Sequence, residues 1–335
     1  MKIRLYKFPS PLLPSPRGEG CLRNEDGVRA FARSTKYLMI FGLAIIIFSS
    51  CEKIINPTLQ PATPVLVVDA WLNNKPEKQI VRLTMTQSYF DATVPPGVHS
   101  ATVLITDDLN TVYSFADDGT NTGTYQWTPA PGKSFGAVGR QFKLTVQLNS
   151  ETFEALSVMK RTTAVDSITF LIDESPRFPS GSYQAQFWGN DLQGKGDSYW
   201  IKTYKNGVQL NKPSEINLAF DAGFSQGGDF DGVTFITPIR RGVNPDEVDA
   251  NKKRLPAYVE GDSLYVEINS ITLESFDHLQ QVKTQTERSG GFGALFAKPL
   301  DNVSTNIVNT NANGSKVVGF FNVSAVKGRG RKFVK

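Results

Sequence analysis

Cysteine and histidine are the residues that this sequence of 335 amino acids has least of, with two of each. Cys21 falls in a stretch that reads as a leader, so the rest of the chain keeps one cysteine, Cys51, at its first position. An internal disulfide, a zinc site built on several cysteines and a papain-like cysteine–histidine dyad are therefore excluded from the body of the chain. Hydrophobic cores alone must stabilise it.

The two histidines give no sign of catalysis or of metal binding. His99 follows Pro95-Pro96-Gly97 in a predicted turn, where we expect it to be exposed. His278 comes four residues after Glu274 on a predicted helix, where a solvated ion pair is the simplest expectation. We accordingly predict no catalytic residue, no metal site and no cofactor.

Long hydrophobic runs and an excess of one charge are also missing from the body of the chain. No run reaches the roughly 20 apolar residues of a conventional membrane span. The formal net charge of +4 comes from residues 1–50, which hold eight of the 36 basic and three of the 32 acidic side chains. The remainder is close to neutral, which argues against nucleic acid as the main partner.

The sequence does carry an export signal. Three basic residues between 29 and 36 precede the apolar and glycine residues 38–48, which have the length of a signal-peptide core. Phe48-Ser49-Ser50-Cys51 follows and is similar to a bacterial lipobox: an apolar residue, two small residues and the cysteine that receives the lipid. We therefore expect Cys51 to be lipidated and to anchor the chain at a membrane. A plain secretory signal or an uncleaved short anchor are the alternatives.

Composition and pattern divide the chain into five segments. Residues 1–50 are the leader and lipoprotein signal peptide, of which 1–28 reads as translated upstream DNA. Residues 51–64 contain three prolines and are expected to form a tether between the lipidated cysteine and the folded part of the chain. The remaining segments are an immunoglobulin-like β-sandwich at 65–162, a second β-rich domain at 165–326 and a frayed basic tail at 327–335.

A period of two dominates residues 65–162. In 142–148, for example, Phe142, Leu144, Val146 and Leu148 alternate with polar residues, which predicts a half-buried strand. About seven short strands of this kind in roughly 100 residues predict a sandwich of immunoglobulin type.

The second segment combines strands with one helix. The helix is expected near 273–288, where apolar residues recur every three positions and Ser289-Gly290-Gly291 ends the pattern. Asn206-Gly207 is a strong hairpin turn. Further strands are expected at 165–172, 182–188, 199–205, 208–210, 234–237, 264–268 and 317–326.

Seven short segments carry a resemblance to a known family. They are residues 65–72, 101–108, 139–146, 165–168, 229–235, 261–264 and 319–321. In this order they are similar to a Bacteroidota outer-membrane lipoprotein family described as domain of unknown function four-two-four-nine. Asp69-Ala70 departs from the Glu-Gly expected before Trp71, and Phe321 departs from a small residue. The resemblance runs from Cys51 to about residue 326, and it implies partnership with TonB-dependent transporters of the outer membrane.

Three side chains are candidates for contact or modification. Trp127 lies beside the turn Thr128-Pro129 and is the best candidate for an exposed ligand contact, because aromatic rings serve as stacking platforms as well as core residues. Ser167 and Ser263 each sit in an Asp-Ser-apolar triplet that resembles the O-glycosylation acceptor of Bacteroidota.

Other motifs favour plain turns and loops. Residues 132–136 match the spacing of a nucleophile elbow but lack the strand before it and the helix after it. Asp229, Asp231 and Gly232 resemble half of a calcium loop without its later ligands. A pair of carboxylates for glycoside hydrolysis would have to meet from distant positions, and no pair is nominated.

The sequence thus predicts a non-enzymatic lipoprotein of the cell envelope that assists a TonB-dependent transporter, held on the outer membrane through Cys51. The alternatives are a hydrolase acting on an envelope or extracellular polymer, and a structural or adhesive surface module. The side of the membrane on which the protein faces is left open.

Overall fold

The computed structural model describes residues 63–88, 91–175, 178–287 and 301–335. Strands dominate these residues, which confirms the prediction of a mainly β chain. Within these ranges, no helix has the length and apolar character needed to cross a membrane. The predicted leader, Cys51 and nearly all of the tether lie outside the described residues.

Sixteen strands and two helices are found in the described part of the chain. The first seven strands are β1 (Leu66–Asn73), β2 (Gln79–Met85), β3 (Thr102–Asp107), β4 (Val112–Asp117), β5 (Thr124–Trp127), β6 (Gln141–Leu148) and β7 (Glu151–Val158). The later elements are β8 (Ser167–Ile172), β9 (Tyr183–Trp188), β10 (Ser198–Lys205), β11 (Val208–Gln209), β12 (Asn217–Phe220), α1 (Thr237–Arg241), β13 (Ser263–Ile271), α2 (Leu273–Thr286), β14 (Val308–Asn309), β15 (Val317–Ser324) and β16 (Val326–Lys332).

Nine strands form the first sheet, in the order β14-β7-β6-β3-β4-β5-β2-β1-β15. Its two ends approach each other, because the backbone N–H of Val323 on β15 donates to Ser157 Oγ on β7 at 3.0 Å. The side-chain amide of Asn306 donates to the carbonyl oxygens of Leu156 at 3.3 Å and of Phe321 at 2.8 Å. The sheet is therefore nearly closed on itself, and the predicted immunoglobulin-like sandwich is not confirmed.

The first core fills the inside of this sheet. Every second side chain of β1 from Leu66 to Leu72 is buried, since successive residues of a strand point to opposite faces. β15 lies parallel to β1 and adds Phe321 and Val323 to the same core. The predicted segment 165–326 therefore does not belong to one core, because its last strand completes the first sheet.

The second sheet has the order β11-β10-β13-β16, and β12 pairs with β10 at one end. Inward side chains such as Tyr199, Ile201, Val266 and Ile268 form a second core. The separate hairpin β8–β9 packs on that core through Ile168 and other apolar residues. The strands predicted in this region at 165–172, 182–188 and 199–205 are confirmed to within a few residues.

The longer helix agrees with the prediction and the shorter one does not. α2 begins after Thr272, whose hydroxyl accepts the backbone N–H of Ser275 at 3.2 Å. Residues 234–237 are not a strand, because Thr234 makes only an isolated bridge and α1 begins at Thr237. Pro238 explains the difference, since proline lacks the N–H that a strand needs and is favoured in the first turn of a helix.

The basic C-terminal residues are ordered, contrary to the prediction of a frayed tail. β16 pairs with β13 along its whole length, from Val326 opposite Asn269 to Lys332 opposite Ser263. Phe333 is only 2% exposed and belongs to the second core. The positive charges misled the prediction, because β16 is the edge strand of its sheet and is largely exposed, and edge strands commonly carry charged side chains.

Candidate functional site

A cleft of about 800 Å³ lies on the outer face of the first sheet. Its floor is the outward side of β1, β2 and β15, and helix α2 contributes His278 to one wall. The residues on its floor and wall that carry the chemistry are Val67, Asp69, Trp71, Arg82, Thr84, His278, Val318 and Phe320. Successive side chains of a strand point to opposite faces. Because Leu66, Val68, Ala70 and Leu72 point into the core, Val67, Asp69 and Trp71 point to this outer side.

Aromatic rings form one side of the cleft. The rings of Trp71 and Phe320 stack with centroids 5.7 Å apart and an angle of 17° between their planes. Trp200, on β10 of the second sheet, meets the Trp71 ring edge-on at 5.2 Å. Trp71 and Trp200 pack against a third cluster that contains Phe276 and Leu279 of α2, which fixes Trp71 in place. The wall is therefore apolar and held rigid by packing.

Opposite charges face each other across two paired strands. Asp69 on β1 and Arg82 on β2 are directly opposite in the antiparallel register, where side chains lie side by side. Neither has a hydrogen bond or ion pair to a side chain among the described residues. Burial by the cleft walls raises the pKa of Asp69, and the nearby charges of Arg82, Lys202 and His278 offset part of that rise. Both side chains nevertheless reach solvent, so a ligand can contact them.

His278 is buried, which corrects the expectation of a solvated pair with Glu274. Its Nδ1 donates to the carbonyl oxygen of Ser304 at 2.5 Å. Burial lowers the pKa of His278, although the Ser304 hydrogen bond and the charge of Asp69 act in the other direction. The centre of the ring lies 4.4 Å from that of Phe320, with the planes tilted by 38°, and the lowered pKa favours the neutral form. With Nδ1 donating, Nε2 is the acceptor that His278 offers.

Residues 302–306 separate this cleft from a second groove. Asn302 and Val303 line the cleft, whereas Ser304 to Asn306 line a groove of about 670 Å³ between α2 and β7. Gln281 of α2 fixes the segment, because its side-chain oxygen accepts the backbone N–H of Ser304 at 2.8 Å. Phe320 contributes to both spaces.

Trp127, the predicted ligand contact, lies at the edge of the first core. Its ring is half-buried and meets Tyr113 edge-on at 5.2 Å and Phe135 at 5.7 Å. The structure therefore does not bring Trp127 to the cleft, and its ligand role stays a prediction.

The two candidate glycosylation serines open strands β8 and β13. Ser167 is half-buried and lies opposite Trp188, whereas Ser263 is exposed. Asn206 accepts the backbone N–H of Ser263 at 2.8 Å, so the local backbone is held. Their modification stays a prediction.

His99 and the loop 132–136 stay outside the cleft. His99 is half-buried rather than exposed, and its Nδ1 is 2.9 Å from Asp117 Oδ2. Gly132 lies in a turn that no strand enters directly, since β5 ends at Trp127, and strand β6 rather than a helix follows, as expected for a loop rather than a nucleophile elbow.

Three carboxylates from distant positions meet beside the second core. Asp191, Asp221 and Asp231 each bring an oxygen to within 4.8 Å of the others, and the first two are buried. Tyr199 Oη donates to Asp191 at 2.7 Å and the Gly196 N–H donates to Asp221 at 2.8 Å. Burial raises the pKa of Asp191. Carboxylates of this kind could hold a divalent cation.

Sequence reasoning missed most of these positions. Asp231 stands in a recognisable Asp-Phe-Asp-Gly motif, but Asp191 and Asp221 join it only through the fold. For the cleft, one usable signal was present: β1 carries Val67 and Trp71 on the face opposite its core residues. A strand that is apolar on both faces is covered or lined on both sides.

Comparison with known protein families matches residues 52–329 to the family described as "Domain of unknown function (DUF4249)". The match extends from before β1 into β16 and thus includes the cleft, both sheets and α2. A search of curated proteins gives no match. The chain therefore belongs to the DUF4249 family, as the seven sequence segments predicted.

Proposed function

We propose that this protein is a non-enzymatic, lipid-anchored binding protein of the bacterial cell envelope. In this proposal the cleft on the first sheet captures a ligand for a TonB-dependent transporter of the outer membrane. One observation carries the proposal. Asp69 and Arg82 are neighbours in register that reach solvent and form no ion pair among the described residues, and they lie beside the rigid wall of Trp71 and Phe320. Binding sites typically combine an apolar lining with a few convergent polar groups.

The chemistry of the cleft favours recognition of a small amphipathic ligand. Asp69 and Arg82 offer one negative and one positive contact, and His278 adds a neutral acceptor. Val67 and Val318, which lie side by side on β1 and β15, supply apolar surface in the same cleft. A ligand with an apolar part and groups of both charges would use all of these contacts.

The position of the cleft fits a role close to a membrane. Thr63 and Val65 line its rim, so the cleft lies where the chain arrives from Cys51. A fully extended chain spans about 3.3–3.6 Å per residue, so the residues between Cys51 and Thr63 reach at most roughly 40 Å. If Cys51 carries lipid, the rim of the cleft at Thr63 stays within roughly that distance of the bilayer.

The other proposals from the sequence keep their place as alternatives. A hydrolase would need two reachable carboxylates facing a substrate, whereas Asp191 and Asp221 are buried and engaged by donors. An adhesive module would need neither the cleft nor a barrel partner. An immunoglobulin-like grouping of the strands in 65–162 likewise stays a prediction.

A pull-down from native membranes tests the proposal. The protein is tagged after Lys335, extracted in mild detergent and analysed by mass spectrometry for co-purifying proteins. We expect a TonB-dependent barrel in stoichiometric amount. Recovery of the membrane-bound protein alone would overturn the transporter role and make hydrolysis and adhesion assays the next step.

A Cys51→Ala variant provides the matched control for the anchor. Wild-type protein is expected to incorporate a radiolabelled fatty acid and to fractionate with membranes, whereas Cys51→Ala is expected to do neither. Equal labelling of the two proteins would show that Cys51 is not the lipid attachment site.

A further inference from the structure

The second sheet has an open face that the cleft does not use. Trp200, Lys202 and Tyr204 alternate along β10 and point away from the second core, whose residues Tyr199 and Ile201 occupy the positions between them. Across the β10–β13 register, Lys202 lies opposite Glu267 and Tyr204 lies opposite Tyr265. Helix α2 and Trp71 cover the end of this face at Trp200, whereas Tyr265 at the other end is 38% exposed.

Tyr265 lies flat on the sheet because β16 has glycine beside it. A Cβ on Gly328 would come 2.4 Å from the Tyr265 hydroxyl oxygen, and a Cβ on Gly330 would come 3.3 Å from its ring carbon Cδ2. One face of the ring therefore covers bare backbone, and the other face is turned to solvent. Tyr204 stands beside it, with ring centroids 6.0 Å apart and planes at 53°.

Charged groups of both signs surround these rings. Glu267 is buried, and Lys75 Nζ donates to it at 2.7 Å while Tyr204 Oη donates to it at 3.3 Å. Lys75 also pairs with the half-exposed Glu77 at 2.9 Å. Burial raises the pKa of Tyr204 to about 12, with the charge of Glu267 adding to the effect, so its hydroxyl stays protonated.

Lys202 is the member of this group whose donors are not engaged. Its ammonium lies 4.1 Å from the centre of the Trp200 ring, and it forms neither a hydrogen bond nor an ion pair within the described ranges of the chain. The carboxylate nearest to it in register, Glu267, is already bonded to Lys75 and Tyr204. The donors of Lys202 are therefore not engaged by acceptors of the described residues, and although burial lowers the pKa of Lys202 to about 8, the ammonium keeps most of its charge at neutral pH.

The charges around the rings indicate which class of ligand the surface can bind. Lys75 and Lys202 are matched by Glu77 and Glu267, and Lys332 on the same face of β16 adds one exposed positive charge at its edge. The surface therefore lacks the large charge of one sign that would attract a polyanion or a polycation. It offers donors and acceptors in alternation around a flat aromatic face. Sugar hydroxyls both donate and accept, and the apolar face of a pyranose ring matches an exposed tyrosine ring.

We propose that the face formed by Lys202, Tyr204 and Tyr265, with Lys75 and Glu77 at its rim, is a binding surface for a neutral oligosaccharide. In this arrangement one sugar ring stacks on Tyr265, and its hydroxyls bond to Lys202 and to the rim charges. The surface shares no residue with the cleft, so it does not depend on the function proposed for the cleft.

Calorimetric titration of the full-length protein in mild detergent tests this site. The probes are cellohexaose, xylohexaose, maltohexaose and mannohexaose, which are uncharged. We expect at least one of them to bind, and we expect Tyr265→Ala to weaken that binding by about tenfold or more because the stacking face is lost. Tyr265→Phe keeps the ring and is expected to keep the affinity within about threefold.

Two further variants separate this site from a loss of folding. Lys202→Met keeps the aliphatic stem over Trp200 and removes the donor, so weaker binding with an unchanged unfolding curve is expected. Phe224→Ala truncates an aromatic residue that is 50% exposed elsewhere, and it is expected to leave binding unchanged.

Three results would overturn the inference. The first is an absence of binding to all four saccharides. The second is saccharide binding that neither Tyr265→Ala nor Lys202→Met weakens. The third is Tyr265-dependent binding of polygalacturonate or of a proline-rich peptide with none of the neutral saccharides, which would identify an acidic glycan or a protein as the partner instead.

Discussion

The two sheets of this protein use their faces in opposite ways. The first sheet curls until β7 and β15 are linked through Ser157, so one core covers its whole inner face. The second sheet stays open, packs one face on a core and leaves part of the other face to solvent around Tyr265. A nearly closed sheet can bind only on its outer side or at its ends, whereas an open sheet can offer a broad flat face. The cleft lies on the outer side of the nearly closed first sheet, and the face formed by Lys202, Tyr204 and Tyr265 lies on the open second sheet.

The largest loss of stability is expected for a substitution directly after β16, the last strand of the second sheet. Phe333→Ala removes a buried ring from the second core and should lower the free energy of unfolding by about 3–5 kcal/mol. Val334→Ala, one residue further on and 67% exposed, should change it by less than about 0.5 kcal/mol. Urea unfolding followed by fluorescence measures both. Equal, small effects would mean that the C-terminal residues are a tail after all.

The next effect concerns the parallel pair that nearly closes the first sheet. Gly319 on β15 has a φ of 104°, and a Cβ there would lie 2.0 Å from the carbonyl oxygen of Val68 on β1. Gly319→Ala should therefore cost about 3 kcal/mol of stability through strain and displaced backbone.

Gly119→Ala is the matched control for that change. Gly119 also has a positive φ, of 73°, but no atom lies within 4 Å of its added Cβ. Only the backbone strain of about 1–2 kcal/mol is expected. If thermal unfolding gives the same loss for both variants, β15 does not press against β1 as closely as the structure indicates.

A smaller effect is expected on the open face of the second sheet. Glu267→Gln keeps the shape of the side chain but removes the charge that holds Lys75, at a cost of about 1–2 kcal/mol. Burial alone would lower the pKa of Lys75, but the hydrogen bonds to Glu267 and Glu77 raise it above its ordinary value of 10.5.

The sign of the pH dependence follows from that shift. A lysine whose pKa is higher in the folded state stabilises the fold fully below its unfolded pKa and loses this contribution as the pH rises through the folded pKa. The part of the difference between wild type and Glu267→Gln that comes from Lys75 should therefore persist to the usual lysine range and be lost above it. Lys202 also faces Glu267, and burial lowers the pKa of Lys202 to about 8 although the charge of Glu267 raises it, so a second part of the difference should be lost near that pH. Chemical unfolding at a series of pH values measures both parts, and a difference that is lost completely near pH 8 would contradict the assignment to Lys75.

The smallest effect is expected on the outer face of the first sheet. The pKa of Asp69 is raised by burial, so its charged form is disfavoured in the folded state. Stability therefore falls as the pH rises from the unfolded pKa through the folded one, and Asp69→Asn should slightly raise the melting temperature at neutral pH but not in acid. Asp229→Asn, at an exposed carboxylate, is the control. A lower melting temperature for Asp69→Asn at neutral pH would show that Asp69 serves the fold rather than a ligand.

The fold was predictable where one physical signal dominates locally. Alternating polarity located β6 and β13, and an apolar residue at every third position located α2. The signal failed at 234–237, where an apolar run precedes a proline and becomes the start of α1. It failed again at β16, because this edge strand is exposed or half-buried along its whole length and therefore shows no alternation of polar and apolar residues. The site was less predictable, since Asp69 and Arg82 become neighbours only through the β1–β2 register.

By itself, the sequence determined the mainly β class, the place of the long helix, the family and the expectation of a lipid on Cys51. Each of these depends on residues that are close together in the chain or on short segments in a fixed order. Tertiary structure decided which strands share a sheet, that Phe321 and Phe333 serve different cores, and that Trp71, His278 and Phe320 meet in one cleft. The physical reason is that strand pairing joins residues hundreds of positions apart, and no local pattern of polarity encodes which partner a strand will take.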